Sequence, residues 1–304
     1  MRKVISFILL LTLWFNFSVS ALPKTDLHFK WGIDFYQTHF EEEGFLAPDL
    51  FGITINNNLI ISDPVKKRVR LVNNDGKILK DFVVKRLPLK LIVTKSGDIF
   101  IYTLDKVYIL NPTLKLKKEF SHNFFLHSVT SDHLGNQYIY DNYYDGKDLA
   151  KIFIMKPEGK STIFIDLGAS TYKYTELVFI EDQNLLALVQ ENGDTFDVTY
   201  FSLEGKQVKK GSLPYAPGYL IYFHKNQFVF WHPEEFKVSI VDETKSQEFD
   251  LLAAFKRRNI SVNDILSSAS GLNYYVRVQD DGTLVVLAST KKELIIFKEK
   301  ISFL

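Results

Sequence analysis

From Gly52 onward the chain is cut every few residues by turn chemistry, and this punctuation restricts it to short strands. Residues 52–82 carry the pattern most clearly. Gly52-Ile53-Thr54-Ile55 is a β-branched run. Asn56-Asn57-Asn58 follows and suits a tight turn, because Asn enters the left-handed backbone region more readily than other non-glycine residues. Leu59-Ile60-Ile61 is apolar throughout, as a strand covered on both faces must be. Asp63-Pro64 ends it, since proline has no N–H to give a ladder. Val69-Arg70-Leu71-Val72 is a third run, Asn73-Asn74-Asp75-Gly76 a hairpin turn, and Ile78 to Phe82 alternates as an outer strand does.

Weaker copies of this four-run unit follow at residues 87–120, 125–167, 175–213, 217–251 and 271–304. Their inner turns fall near Asn57, Gly97, Gly135, Gln183, Asn226 and Gly282. Four strands in roughly 30–45 residues make one propeller blade, so the six units predict an all-β, six-bladed β-propeller. Seven blades is the alternative, but the chain offers no seventh set of turns. His28 to Phe35 precedes the first unit and reads as a strand; it is expected to complete the last blade, which closes the ring and hides sheet edges. Residues 252–270 interrupt the fifth and sixth units. There Leu252 to Arg258 reads as a helical turn or a strand continuation, and Ser261 with Asp264 three residues on is a cap signal for a short helix. Glu41-Glu42-Glu43 reads as a solvated turn.

Residues 1–21 are a separate object. Arg2 and Lys3 precede a mostly apolar core from Val4 to Phe17, and Ser18-Val19-Ser20-Ala21 offers the small residues a signal peptidase reads. A cleaved signal peptide is therefore expected, with residues 22–304 forming one propeller domain in the periplasm or outside the cell. An uncleaved N-terminal anchor is the alternative. Cysteine is absent, so neither a disulfide nor a lipid-modified cysteine is available. Loss of Arg2 and Lys3 leaves 35 basic side chains against 36 acidic ones, which gives no electrostatic case for nucleic acid or an anionic membrane. A monomer with no membrane span after cleavage is expected.

The first unit resembles the NHL repeat. The resemblance lies in Gly52-Ile53-Thr54-Ile55, the apolar run ending in Asp63, Arg68-Val69 before the third strand, and Asp75-Gly76-Lys77 followed by Phe82. The later units keep the strand-and-turn layout and lose most of these signatures. The resemblance implies a propeller and, as in many such proteins, a surface for a protein or ligand; it implies no single chemistry.

Catalytic and metal motifs are scarce. Asp141 to Asp148 has the look of a calcium loop, but the third and twelfth positions of an EF-hand alignment hold Tyr143 and Ile152. His28, His39, His122, His127, His133, His224 and His232 are scattered, with no pair at the helical spacing of a zinc site. The G-x-S-x-G nucleophile pattern is absent. No catalytic residue, metal ligand or cofactor is assigned. The central channel is the usual place for a site, and aligning the units puts Gly52, Lys90, Ser128 with His127 beside it, Glu176, Tyr219 and Tyr274 at its mouth. One carboxylate and a lysine make a thin set for a cation. The doublets Phe124-Phe125, Tyr143-Tyr144 and Tyr274-Tyr275, and Tyr172 with Tyr174, could each turn one ring outward to a binding surface, although packing between blades is the commoner role for such rings. The expected function is an exported, non-catalytic propeller binding a protein or a small ligand. The rival is a hydrolase or lyase of the lactonase type with a divalent metal in the channel near Glu176.

Overall fold

The computed structural model describes residues 26–303 except 41–43, 144–148, 170–173, 194, 215–217, 225–226, 243, 269–270, 273 and 280. The leader 1–21, the Glu41–Glu43 turn, Tyr144, Tyr172 and most of the loop after Asp141 lie outside the described residues. The chain starts with β1 (Leu27–Lys30), β2 (Thr38–Phe40) and β3 (Gly44–Leu46). Blade 1 holds β4 (Phe51–Ile53), β5 (Leu59–Asp63), β6 (Arg68–Val72) and β7 (Ile78–Val83). Blade 2 holds β8 (Lys90–Val93), β9 (Ile99–Tyr102), β10 (Lys106–Leu110) and β11 (Leu116–Ser121). Blade 3 holds β12 (Leu126–Ser131), β13 (Gln137–Asp141), β14 (Leu149–Met155) and β15 (Ser161–Ala169).

Blade 4 follows with β16 (Thr175–Ile180), β17 (Leu185–Asn192), β18 (Thr195–Ser202) and β19 (Gln207–Pro214), and blade 5 with β20 (Tyr219–His224), β21 (Gln227–His232), β22 (Lys237–Val241) and β23 (Ser246–Asp250). The helix α1 (Leu251–Arg257) and the short strands β24 (Ser267–Ser268) and β25 (Gly271–Leu272) come next. Blade 6 is built from β26 (Tyr274–Val278), β27 (Thr283–Ser289) and β28 (Glu293–Lys300). Its fourth strand is β1, which pairs antiparallel with β28 from Leu27↔Ile296 to Lys30↔Glu293. The expected six-bladed ring, closed by the N-terminal strand, is what the chain forms.

The turns obey the local chemistry. Asn57 lies at φ 59° and Gly76 at φ 81°, the left-handed positions their hairpins require. The signature residues of blade 1 become an ion network. Arg68 Nε donates to Asp63 Oδ2 at 2.9 Å and Arg68 Nη1 to Asp81 Oδ2 at 2.8 Å, while Arg70 Nε donates to Asp81 Oδ1 at 2.8 Å. Burial raises the Asp63 carboxyl above its ordinary range, and Arg68 opposes that rise.

The insertion differs from its sequence reading in one part. Leu251, Ala254 and Phe255 fall on one helical face and are buried, and Asp250 caps the helix by accepting from Ala253 N at 3.2 Å. Residues Val262–Asp264 form only a 3-10 turn, and Ser261 makes no side-chain cap bond. The strands that follow were not legible: β24 pairs with β3 and with β25, and β3 with β2, which makes a small four-stranded sheet beside the ring.

One apolar cluster fills each gap between neighbouring blades, six in all. The gap between blades 6 and 1 contains Leu27 and Phe29 of β1 with Phe51, Leu59, Leu294 and Ile296. Phe29 is 2% exposed and meets Phe35 edge-on at 5.3 Å. Phe29→Ala should therefore lower the unfolding free energy by about 3–5 kcal/mol in urea titration. Ile33→Ser, at a residue that is 70% exposed, should stay within about 0.5 kcal/mol of the parent.

Candidate functional site

Each blade is traversed from the axis outward, so β4, β8, β12, β16, β20 and β26 run side by side in one direction and enclose a channel. The channel holds a cavity of about 840 Å³. Its wall is largely aliphatic, with Ile53, Ile92, Val178 and Ile221, and charge enters at two levels. Lys90 and Glu176 stand where their strands begin, and Arg277, near the end of β26, brings its guanidinium within electrostatic reach of Glu176. Where the inner strands end, Lys95 pairs with Glu181, and Asp182 and His224 stand beside them.

The strands do not surround the axis evenly. Blades 3 and 4 are stitched together: Ser128 Oγ donates to the Glu176 carboxylate and accepts from Leu177 N at 2.9 Å, and Phe179 N donates to Thr130 Oγ1 at 3.3 Å. Blade 1 presses on blade 2 at Gly52, where a Cβ would lie 2.7 Å from Leu91 Cδ2 and Val93 Cγ2, so only glycine fits. The pairing of β12 with β13 shifts register between Leu126 and Ser128, and that of β20 with β21 between Leu220 and Tyr222. Such bulges turn a side chain out of the regular alternation, here His127 and Ile221 at the level of Glu176.

Electrostatics separate the groups of this layer. Burial lowers the His127 imidazole, Glu176 opposes that and Lys90 reinforces it, so His127 is neutral at pH 7. Burial lowers the Arg277 guanidinium, again against the pull of Glu176. Arg277 Nη1 donates to Val276 O at 3.1 Å, and its guanidinium lies 5.6 Å from the Phe51 ring centre. Above the layer is an aromatic rim: Tyr219 packs on Tyr174 at 5.9 Å and on Trp231 at 5.8 Å, and Trp231 on Tyr275 at 5.7 Å. Tyr174 Oη accepts from Leu220 N at 2.7 Å, and burial raises the Tyr174 phenol well above its ordinary value.

Sequence alignment and structure can now be compared residue by residue. Lys90, Glu176 and Gly52 line the channel. Ser128 is fully buried and acts on Glu176, while His127 sits at the bulge with its ring edge-on to Tyr140 at 5.6 Å. Tyr219 is 48% exposed on the rim. Tyr274 does not face the channel: it is fully buried, donates from Oη to Pro233 O at 2.6 Å, and stacks on Phe236 between blades 5 and 6. Alternation along β26 puts Tyr275 and Arg277 on the other side. Sequence alignment missed Lys95, Glu181, Asp182 and His224 at the far end of the inner strands, and it missed Arg277, whose signal was its place two residues after Tyr275. In the doublets, Phe124 is buried and Phe125 60% exposed. Asp141 is occupied in its own loop, accepting from Phe125 N at 3.1 Å and Tyr143 N at 3.0 Å.

A divalent cation does not fit the inner-strand wall. Among the described residues no three His, Asp or Glu side chains converge, and Glu176 shares its layer with two cations. Among the described residues, likewise, no helix is long and apolar enough to cross a membrane.

No family model matches the chain, and no curated protein does. Solved structures share its fold. A catalytically inactive virginiamycin B lyase from Staphylococcus aureus with quinupristin is 10% identical over 91% of this chain and 99% of its own, with a TM-score of 0.54. A gluconolactonase from Xanthomonas campestris is 11% identical over 91% and 96%, with a TM-score of 0.51. The nidogen/laminin complex contains a chain 13% identical over 67% and 80%, with a TM-score of 0.50. At such identities the likeness is one of fold, and the three differ in what they do.

Asp49, in the loop entering blade 1, lies close enough to Tyr275 for its charge to raise that phenol. Burial pushes its own carboxyl up to about 6, against the hydrogen bond it accepts from Ser62 Oγ at 2.9 Å. The folded chain thus holds this proton to about pH 6, while the unfolded chain releases it near the ordinary 3.8, so the group opposes folding increasingly between those values and fully above them. Asp49→Asn should raise the unfolding free energy by about 1–3 kcal/mol at pH 7.5 and leave it unchanged at pH 3.5, measured by urea titration at both.

Proposed function

We propose that this chain is an exported, monomeric binding propeller that takes a small ligand into the channel from the end where the inner strands begin, and performs no reaction on it. The observation that carries this reading is the cavity: about 840 Å³, within the range of roughly 300–1,000 Å³ usual for ligand sites, with aliphatic walls and a few convergent charges. The aromatic rim supports it, because Tyr and Trp supply rigid contact area with a polar edge. The NHL-like character of blade 1 supports a binding role as well, and the leader-like residues 1–21 support export.

A hydrolase or lyase reading has one point in its favour, a neutral His127 within electrostatic reach of Glu176. Against it, one Glu176 oxygen already accepts the Ser128 hydroxyl, and the donor set for a divalent cation is missing among the described residues.

Magnetic-resonance screening of a fragment library separates the two. Hits should compete with one another, disappear in Val178→Trp, which narrows the channel, and persist in Leu134→Ser at an exposed turn residue. Hits that survive Val178→Trp would place binding elsewhere, and chemical conversion of any hit would replace the binding reading with the enzymatic one.

A further inference from the structure

Several basic side chains that brace the blades are ion-paired. Arg68 and Arg70 meet Asp63 and Asp81; Arg258 meets Asp26 and Glu299; Lys95, Lys106 and Lys117 meet Glu181, Glu119 and Asp98. Lys90 and Arg277 line the cavity. Among the described residues neither has an ion-pair partner, although both stand in the channel wall. Arg277 is half-buried, burial lowers its guanidinium, and the hydrogen bond it makes goes to the carbonyl of its own neighbour Val276. A desolvated cation without a carboxylate is costly, and the cost is recovered when an anion meets it.

Two cations against the one carboxylate of Glu176 leave this layer with a single net positive charge. Ser128 and the backbone of β16 hold Glu176 in place, so it cannot swing over to neutralise both. The remainder of the wall is aliphatic at Ile53, Ile92, Val178 and Ile221, with Tyr219 and Tyr275 at the rim.

We propose that the channel layer of Lys90, Arg277 and Glu176 is a site for a small amphiphilic organic monoanion, whose carboxylate lies between Arg277 and Lys90 and whose apolar body packs against the aliphatic wall and aromatic rim. A guanidinium presents a planar fork of donors that suits a carboxylate, and the lysine adds a point charge from the neighbouring side. Glu176 sets the selectivity. Its charge favours a ligand with a hydroxyl donor beside the carboxylate, and penalises dianions such as a phosphate monoester. The inference rests on the channel-binding reading and specifies its ligand.

Calorimetric titration of the folded chain tests it with four probes of one shape: 3-phenylpropionate, its neutral amide, 2-phenylethylammonium and phenyl phosphate. The carboxylate should bind with one-to-one stoichiometry, and the amide and the ammonium about tenfold or more weaker. Phenyl phosphate should also bind more weakly than the carboxylate at pH 7.5. Lys90→Gln and Arg277→Gln should each weaken carboxylate binding, and Glu176→Gln should strengthen it. If Arg277→Gln fails to fold, Lys90→Gln carries the same test on a half-buried strand-end residue. Amide binding equal to that of the acid, ammonium binding tightest, indifference to Lys90→Gln, or no carboxylate binding at all would each overturn the anion site. In those cases fragment hits still lost in Val178→Trp would leave the channel-binding reading standing; hits indifferent to Val178→Trp would remove both.

Discussion

The pairing of β1 with β28 is the constraint on which the rest of the molecule depends. Each blade is an open sheet with apolar residues on both faces of its middle strands, and it is stable only between two neighbours. Blades 1 and 6 come from opposite ends of the chain, so nothing in the covalent order makes them neighbours. The strand Leu27–Lys30 does so by hydrogen bonding to one blade while its Leu27 and Phe29 side chains fill the gap beside the other. Two further ties hold the seam. Trp31 Nε1 donates to Thr290 O at 2.8 Å. Arg258 after α1 donates to Asp26 Oδ1 at 3.1 Å and to Lys298 O at 3.1 Å, pairs with Glu299, and lies over the Phe297 ring at 4.3 Å. Helix α1, itself an interruption of the blade pattern, thereby serves the closure by presenting Arg258 to the seam.

Closure fixes the outer gaps first and leaves the axis to adjust. Blade 3 leans on blade 4 through Ser128, Thr130 and Glu176, and blade 1 on blade 2 across Gly52. Strand β20 also touches both of its inner neighbours, β16 and β26, with Ile221 at a bulge and Arg277 in the channel wall. The channel charges are thus consequences of packing: the Glu176 carboxylate is fixed because it belongs to the tight seam, while Lys90 and Arg277, though Glu176 acts on Arg277, form no ion pair among the described residues.

Much of this was legible because strands and turns are local. Period-two alternation and residues that tolerate positive φ marked the blades, and Asn57, Gly76, Gly159 and Gly205 all adopt that conformation. The closure strand was legible for another reason: a ring with four strands per unit leaves one unit short by a strand. The small sheet escaped because Gly44–Leu46 and Ser267–Ser268 are too short to show a period and come from distant parts of the chain. Asp63 and Arg68 read as turn and register residues, and their joining with Arg70 and Asp81 needed the third dimension. The site was half legible. Lys90 and Glu176 followed from aligning strand starts, but the alignment was one residue out on β26, and in a strand one residue exchanges wall for core. Tyr274 went to the core with Phe236 and Phe255, and the wall position two residues beyond its neighbour fell to Arg277.

The fold itself is neutral between binding and chemistry, as a lyase, a gluconolactonase and a chain of the nidogen/laminin complex that share it indicate. The decision therefore lies with how the polar groups of the channel are employed. Chemistry asks for a base aligned on a nucleophile, or for donors that converge on one point. Here the single carboxylate of the layer is tied to a serine whose hydroxyl is buried and already accepts a backbone N–H. The neutral imidazole of His127 packs against Tyr140. The groups left with unspent capacity are Lys90 and Arg277, which can donate hydrogen bonds and attract an anion. On the binding reading proposed above, capacity of that kind would serve recognition by lowering the free energy of a bound anion.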